Sequence, residues 1–312
     1  MSVTIGVDVG GTKIAAGVVD ANGGIVDKAR VETPAQDSDA AVQAIIDVAN
    51  ELRARHDGVT GIGISAAGFI SADRATVLFA PNMAWRDLPL RDRLENALGL
   101  PVVVENDANA AAWGEFTHGS AKDADDLLMV ALGTGVGGGI VAGGELVRGT
   151  FGIAAEVGHL RVVPQGHLCG CGQRGCFEQY ASGSALVRFA RERVTDGDRL
   201  LSEVDGDRAR IDGPLVTRLA QEGDALSIEL LADLGRWLGE GVASLAAVLD
   251  PGLVVIGGGV AEAGDLVMGP AKRAFAATLP ATANRPHAEM RVAALGNEAA
   301  IIGAAALARS EP

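Results

Sequence analysis

Two stretches of this chain, residues 6–26 and 130–147, follow one plan of apolar strand, glycine-rich turn, apolar strand and Gly-Gly hairpin. In the first stretch, Asn22 and Gly23 form a dipeptide that is typical of a tight hairpin. A plan repeated within one chain predicts two domains of similar build, although any two glycine-rich hairpins share some likeness. The length of 312 residues is sufficient for about two domains.

The periodicity of the apolar residues predicts an α/β protein in which strands and helices alternate. Strands are expected in the two repeated stretches and in several further apolar runs, one of which ends near Glu105. The charged stretch 195–210 is predicted to be disordered, and Glu115 and Glu145 are predicted to be solvated surface residues. Helices are expected at 39–56, from 106 or 107 onward, and at 183–194, 214–222, 225–249, 265–277 and 298–309.

Composition and charge disfavour several classes of protein. The net charge is −14 with no basic run of note, which argues against binding to nucleic acid or to an anionic membrane. No apolar stretch reaches the length of about 18 residues that a membrane span requires, and the N-terminus lacks the pattern of a signal peptide. Three clustered cysteines fit a reducing compartment, so the expected location is the cytoplasm.

The glycine-rich turns resemble two phosphate-binding motifs without matching either. Residues 6–13 approach the Walker pattern, but Thr12 precedes Lys13 and a strand follows. Residues 133–138 satisfy G-x-G-x-x-G, but a dinucleotide site needs a helix next, and the sequence continues as a second strand. A third glycine run, residues 257–259, lies between a strand and a helix. Backbone N–H groups in such turns can surround phosphate oxygens.

All three cysteines lie within residues 169–176, in the segment CGCGQRGC. Thiolates are strong ligands for zinc, and a structural site needs four ligands around a tetrahedron. His159 and His167 are candidates for the fourth ligand, and the position of His167 two residues before Cys169 favours it on spacing alone. The segment predicts a Cys₃His zinc site, with buried or adventitious cysteines as the alternative.

Four motifs occur in order along the chain: DVGGTK, ENDANAAAWGE, the Glu-x-Gly-His of residues 156–159, and CGCGQRGCFE. Together they resemble the ROK family of repressors, open reading frames and kinases, and within it the bacterial glucokinases. The resemblance covers essentially the whole chain, and the cysteine segment paired with Glu-x-Gly-His is its most specific part. It implies the two-domain actin-like ATPase (ribonuclease H-like) fold with a cleft between the domains. The expected small domain comprises residues 1–108 and 298–312, and the expected large domain comprises 109–297 with the zinc site.

The resemblance implies ATP-dependent phosphorylation of D-glucose at the 6-hydroxyl, with Mg²⁺ beside the nucleotide and a structural zinc. Alternative substrates are N-acetylmannosamine, N-acetylglucosamine, fructose and allose. A sugar-sensing regulator without catalysis is less favoured, because ROK repressors carry an N-terminal DNA-binding domain and this chain starts at the first kinase-like strand. Family analogy also implies a homodimer or homotetramer.

The resemblance assigns roles to individual residues. Asp107 is the expected general base, although a simple helix N-cap is the alternative for Asn106 and Asp107. His159 becomes the favoured fourth zinc ligand, with Cys169, Cys171 and Cys176 as the other three. The expected sugar-binding residues are Gly68, Asn82 (a weaker candidate, since a loop Asn often makes only a local turn), Asn106, Asp107, Glu156, His159 and Glu178. The expected nucleotide-binding residues are Asp8, Gly10, Gly11, Thr12, Lys13, Gly133, Thr134, Gly135, Gly257, Gly258 and Gly259.

Overall fold

The computed structural model describes residues 2–310. The strands are β1 (Val3–Val9), β2 (Lys13–Val19), β3 (Ile25–Glu32), β4 (Val59–Ala66), β5 (Phe69–Ile70), β6 (Val77–Phe79), β7 (Arg86–Leu88), β8 (Val102–Asn106), β9 (Leu127–Leu132), β10 (Val136–Ala142), β11 (Glu145–Leu146), β12 (Leu253–Gly257) and β13 (Glu289–Val292). The helices are α1 (Ser38–Arg55), α2 (Leu90–Leu98), α3 (Asp107–His118), α4 (Glu178–Ala181), α5 (Gly183–Arg193), α6 (Arg199–Ser202), α7 (Gly213–Gln221), α8 (Ala225–Leu249), α9 (Asp265–Thr278) and α10 (Ala299–Ser310). Among these helices, none has both the length and the apolar character needed to cross a membrane.

The two repeated stretches form two sheets of the same topology. The strand order is β3-β2-β1-β4-β8 in one sheet and β11-β10-β9-β12-β13 in the other. In each sheet, the strand that comes first in the chain lies in the centre. The second and third strands lie in order on one side of it, and the two later strands lie in order on the other side. The predicted α/β class and the internal repetition are therefore confirmed. A separate antiparallel sheet, β5-β6-β7, follows β4 in the chain.

The chain divides into two compact units. The first comprises Met1–Met129, Gly139–Ala155 and Ala293–Pro312, and the second comprises Val130–Gly138 and Glu156–Val292. This division differs from the expected boundary after residue 108, because α3 belongs to the first unit, where it packs closely against α10. The returning C-terminal helix lies in the first unit, together with the N-terminal sheet.

The sheet of the first unit has helices on both faces because its side chains alternate. Ile5 and Val7 on one face join the buried cluster that includes apolar residues of α1 and α2. On the other face, Gly6 and Gly63 are paired in register, and α10 runs directly over them. Neither glycine has a positive φ, so it is the close approach of α10 that requires glycine there.

Gly63→Ala is expected to lower the free energy of unfolding by about 1–3 kcal/mol, the usual cost of overpacking. A Cβ atom at this position would overlap the carbonyl oxygen of Ala304 in α10, which a backbone group cannot avoid by a change of rotamer. Gly252→Ala is the matched control, since nothing lies within 4 Å of its Cβ position. Urea unfolding of both variants tests the packing, and equal stabilities would contradict it.

Two expectations about single segments are wrong. Residues 195–210 are ordered: Leu200 and Val204 are buried, and Arg191 donates hydrogen bonds to the carbonyl oxygens of Ala209 and Ile211. Glu115 is fully buried rather than solvated. Its carboxylate accepts hydrogen bonds from the backbone N–H groups of Ser120, Ala294 and Leu295, so it connects the end of α3 to the segment before α10. Glu145 is exposed, as expected.

Candidate active site

Asp107 is the first residue of α3 and directly follows β8. The N-cap is Asn106, whose side-chain oxygen accepts hydrogen bonds from the backbone N–H groups of Ala108 (2.9 Å) and Asn109 (3.1 Å). The Nδ2 of Asn106 donates to the carbonyl oxygen of Gly68 at 3.1 Å. The capping role therefore falls to Asn106, and the alternative that Asp107 is itself the N-cap does not apply.

Three polar side chains lie in register at the carboxyl ends of the parallel strands. Asp8 of β1 pairs with Ser65 of β4, which pairs with Glu105 of β8. Ser65 donates a hydrogen bond of 2.9 Å to the carboxylate of Asp8. Ligands of open α/β sheets bind at such strand ends, so the sheet places Asp8 and Asp107 where chemistry is expected.

Burial raises the pKa of both aspartates. For Asp107, loss of solvent outweighs the hydrogen bonds from the backbone N–H of Ala108 and from the Asn106 side chain, which lower its pKa. For Asp8, burial is again the largest cause, the Ser65 hydrogen bond lowers the pKa, and the negative charge of Asp107 raises it further. A partly buried carboxylate with a raised pKa is a better proton acceptor than a solvated one.

The first glycine-rich turn borders a cavity of about 670 Å³ within the first unit. Gly11 and Thr12 line it together with Asn82, whose Cβ lies 3.1 Å from the Cβ position of Gly11. Gly10 closes the turn, with its N–H donating to the carbonyl oxygen of Lys13. The structure thus brings Asn82 to the glycine-rich turn, whereas the sequence placed it only in a loop.

The second glycine-rich turn borders a cavity of about 840 Å³ within the second unit. Gly133 and Thr134 line it beside the N-terminus of α5, since Gly183 donates a backbone hydrogen bond to Gly133. From the third glycine run, only Gly259 is a lining residue: Gly257 ends β12, and Gly258 packs against Leu132 with φ +84°. Sequence reasoning missed most of the other lining residues, including Val187, Arg188, Arg191, Pro214, Thr217 and Val260.

Glu156, His159 and Glu178 all lie in the second unit. Glu178 begins α4, and its Oε2 accepts a hydrogen bond of 3.3 Å from the backbone N–H of Val136, next to Gly135 of the second turn. The Nε2 of His159 lies 3.8 Å from a carboxylate oxygen of Glu156. One turn of the backbone therefore presents an imidazole and a carboxylate side by side.

The cysteine segment folds into a cluster with His159. One ligand atom from each of His159, Cys169, Cys171 and Cys176 lies within 4.8 Å of all the others. The Nδ1 of His159 is 3.7 Å from the Sγ of Cys169, and the Sγ atoms of Cys171 and Cys176 are 3.7 Å apart.

His167 belongs to an aromatic cluster instead. Its ring centroid lies 5.5 Å from that of Tyr180 and 5.6 Å from that of Phe189. The geometry therefore favours His159 over His167 as the fourth ligand.

The geometry of this cluster fits a zinc ion. Zinc–sulfur bonds of about 2.3 Å in a tetrahedron give sulfur–sulfur distances of about 3.8 Å, close to the observed separation of Cys171 and Cys176. Burial is the main reason that the pKa of Cys169 rises to about 12, and a bound cation would favour its thiolate form. Three thiols and one imidazole form the donor set of structural zinc sites.

Comparison with known proteins points to one family. The model of the ROK family matches residues 4–311. A glucokinase of Streptomyces coelicolor is 47% identical over 99% of this chain and 98% of its own length, and a glucokinase of Halalkalibacterium halodurans is 40% identical over 98% and 95%. The crystal structure of a ROK family glucokinase from Streptomyces griseus in complex with glucose and AMPPNP superposes with a TM-score of 0.89, at 49% identity over 99% of both chains.

Proposed function

Because the chain belongs to the ROK family, we propose that it is a glucokinase, which transfers the γ-phosphoryl group of ATP to the 6-hydroxyl of D-glucose. The observation that supports this most strongly is the full-length similarity to a glucokinase crystallised with glucose and an ATP analogue. Each unit also holds one glycine-rich turn beside a cavity. The chain also has the two-domain actin-like ATPase fold that its resemblance to the ROK family implies.

In the proposed reaction, Asp107 accepts the proton of the 6-hydroxyl as the oxygen attacks the γ-phosphorus, and ADP leaves. Its raised pKa favours this proton transfer, provided that the carboxylate is ionised at the working pH. Asn106 caps the start of α3 through its side-chain oxygen and donates one amide hydrogen to Gly68, and its second amide hydrogen is assigned to the sugar. Gly68 and Asn82 are assigned to the same substrate.

The nucleotide is assigned to the second unit. The phosphate oxygens are assigned to the backbone N–H groups of Thr134 and Gly135, whereas the N–H of Gly133 donates to the carbonyl oxygen of Gly135 and closes the turn. The lining residues Val187, Pro214 and Val260 supply apolar surface for a base. Asp8 is the residue assigned to the Mg²⁺ that accompanies ATP, because it lies near the end of β1, directly before the first glycine-rich turn. Burial raises the pKa of its carboxyl group, and a cation would favour the ionised form. Bound Mg²⁺ would neutralise charge that develops on the phosphates.

The cysteine cluster is assigned a structural role. With Nδ1 of His159 turned toward the sulfur atoms, Nε2 remains available for a sugar hydroxyl, beside Glu156. Glu178 connects the cluster to the second turn, since its Oε1 lies 3.5 Å from the Sγ of Cys169 while Oε2 contacts Val136. A zinc ion bound here would fix the orientation of His159. The reduced cysteines also suit the proposed cytoplasmic location, and a homodimer or homotetramer remains the expectation from family analogy.

A coupled assay of ADP formation across sugars tests this proposal. We expect kcat/KM to be highest for glucose, and at least about tenfold above the values for N-acetylmannosamine, N-acetylglucosamine, fructose and allose. A higher value for an N-acetylated sugar would reassign the substrate within the family. Glucose binding without ADP formation from any sugar would instead support the sugar-sensing regulator. Replacing ATP by polyphosphate in the same assay tests the phosphoryl donor.

A further inference from the structure

The carboxylate of Glu105, the residue before the cap of α3, is buried and has partners on both oxygens. Its side chain is 1% exposed. Oε1 accepts hydrogen bonds from the backbone N–H of Asn106 (2.8 Å) and from the Nδ2 of Asn109 (3.2 Å). Oε2 forms ion pairs with the Nε atoms of Arg74 (3.0 Å) and Arg148 (2.7 Å). One oxygen therefore faces the start of α3, and the other faces two guanidinium groups.

The two arginines fix two further segments of the first unit around this carboxylate. Arg148 donates hydrogen bonds to the carbonyl oxygens of Ala72 (2.6 Å) and Ser71 (3.0 Å). The carbonyl oxygen of Arg74 accepts a hydrogen bond from the N–H of Val104 in β8, and Arg74 adopts a positive φ of 56°. A non-glycine residue held at positive φ indicates that its surroundings determine its conformation.

We propose that Glu105 is a positioning residue, which acts through Asn106 to set the place of the Asp107 carboxylate. This inference rests on the proposed role of Asp107 as the base. Few contacts separate Glu105 from Asp107. The Glu105 carboxylate accepts a hydrogen bond from the N–H of Asn106, and the Asn106 side chain caps α3 and contacts Gly68. Catalytic groups need such support, since small misplacements cost large factors in rate.

A carboxylate suits this position better than any uncharged side chain. Glutamine has the same shape, but its amide nitrogen would face either the guanidinium groups or the N–H of Asn106, and both are donors. Two guanidinium groups with side chains only 14% and 11% exposed would then lose the negative charge of Glu105. The carboxyl end of β8 would have to rearrange to compensate for the lost charge beside the two guanidinium groups. Because Asn106 directly follows position 105, such a rearrangement would displace Asn106.

The test compares Glu105→Gln with Glu115→Gln in the full-length protein. Both carboxylates are buried, and Glu115 lies in α3 but contacts the segment before α10 rather than Asn106. We expect both variants to unfold at a lower temperature than the natural protein. Only Glu105→Gln should lower kcat for glucose, by about 10–100-fold, with KM for ATP unchanged.

The pH profile provides a second readout, which a general loss of stability would not move. The Asn106 side chain lowers the pKa of Asp107, so its displacement should shift the acid limb of kcat/KM to higher pH in Glu105→Gln. If Glu105→Gln does not fold, Arg148→Lys is measured by the same readouts. Arg148 contacts Ala72, Ser71 and Glu105 through three different nitrogen atoms, and lysine has only one. Equal kinetics in the Glu105 and Glu115 variants would overturn the proposal. Activity retained in Asp107→Asn would instead refute the assigned base.

Discussion

The Asp107→Asn enzyme is expected to phosphorylate glucose with a kcat about 10²–10⁴-fold below that of the natural enzyme, the range for loss of a general base. The amide keeps the size of the carboxylate and can still accept the hydrogen bond that the backbone N–H of Ala108 donates at 2.9 Å. Because Asn106 provides the N-cap, α3 should still begin at the same residue. The substitution therefore removes the proton acceptor with little change in structure.

The pH dependence of the natural enzyme provides an independent check of this role. Burial raises the pKa of Asp107 above the ordinary value of 3.8. Protonation as the pH falls through this raised pKa would remove the base, so kcat/KM should decline at a higher pH than for a solvated aspartate. The residual activity of Asp107→Asn should lack the part of the acid limb that Asp107 causes, whereas a part caused by Asp8, whose pKa burial also raises, should remain.

Glucose binding separates loss of chemistry from loss of the sugar site. Isothermal titration without nucleotide should give a glucose affinity for Asp107→Asn within about tenfold of the natural value, the cost of one altered hydrogen bond. Single-turnover measurements with ATP should then show the loss in the chemical step. An asparagine variant with undiminished kcat would require another base.

The repeated topology could be predicted from the sequence because strands joined by glycine-rich turns have strong local signals. Alternating apolar residues and a hairpin dipeptide are sufficient to predict the strands in residues 6–26 and 130–147. In the structure, each stretch contributes the first three strands of one sheet. The sequence of residues 195–210 predicts a disordered loop because half of these residues are charged, and this prediction is wrong. These residues are ordered because Arg191 donates a hydrogen bond to Ala209 and because Leu200 and Leu201 are buried. The two adjacent leucines do not form a helical or a strand periodicity in the sequence.

The cluster around Glu105 shows what sequence patterns leave out. Its members come from three segments of the chain, and no sequence motif connects Arg74 and Arg148 to Glu105. Glu115 was missed for the same reason, since its partners Ala294 and Leu295 are far away in the chain. By contrast, the cysteine cluster is local in sequence, so its donor set is predictable. Spacing alone favours His167, the family resemblance favours His159, and the coordinates place His159 beside the cysteines.

Removal of a zinc ligand is the second change for which a large effect is expected. The protein should be isolated with about one zinc per chain, and Cys176→Ser should reduce that content to near zero. Cys176 is buried and its Sγ lies 3.7 Å from the Sγ of Cys171, so its loss would leave only three ligands for the ion. Structural zinc sites contribute about 10 kcal/mol or more of apparent binding free energy in small peptides, and a three-ligand site loses much of it.

The two histidines provide a matched pair for the same measurement. His159→Ala should lose zinc as Cys176→Ser does, whereas His167→Ala should keep it, because His167 packs against Tyr180 and Phe189. Both zinc-free variants should also show a raised KM for glucose, by about 10–100-fold, the range seen when support around a metal site is lost. Metal analysis and glucose kinetics on the three purified variants distinguish the possibilities. Zinc loss confined to His167→Ala would reverse the ligand assignment, and an unchanged glucose KM in zinc-free Cys176→Ser would separate the metal from the sugar site.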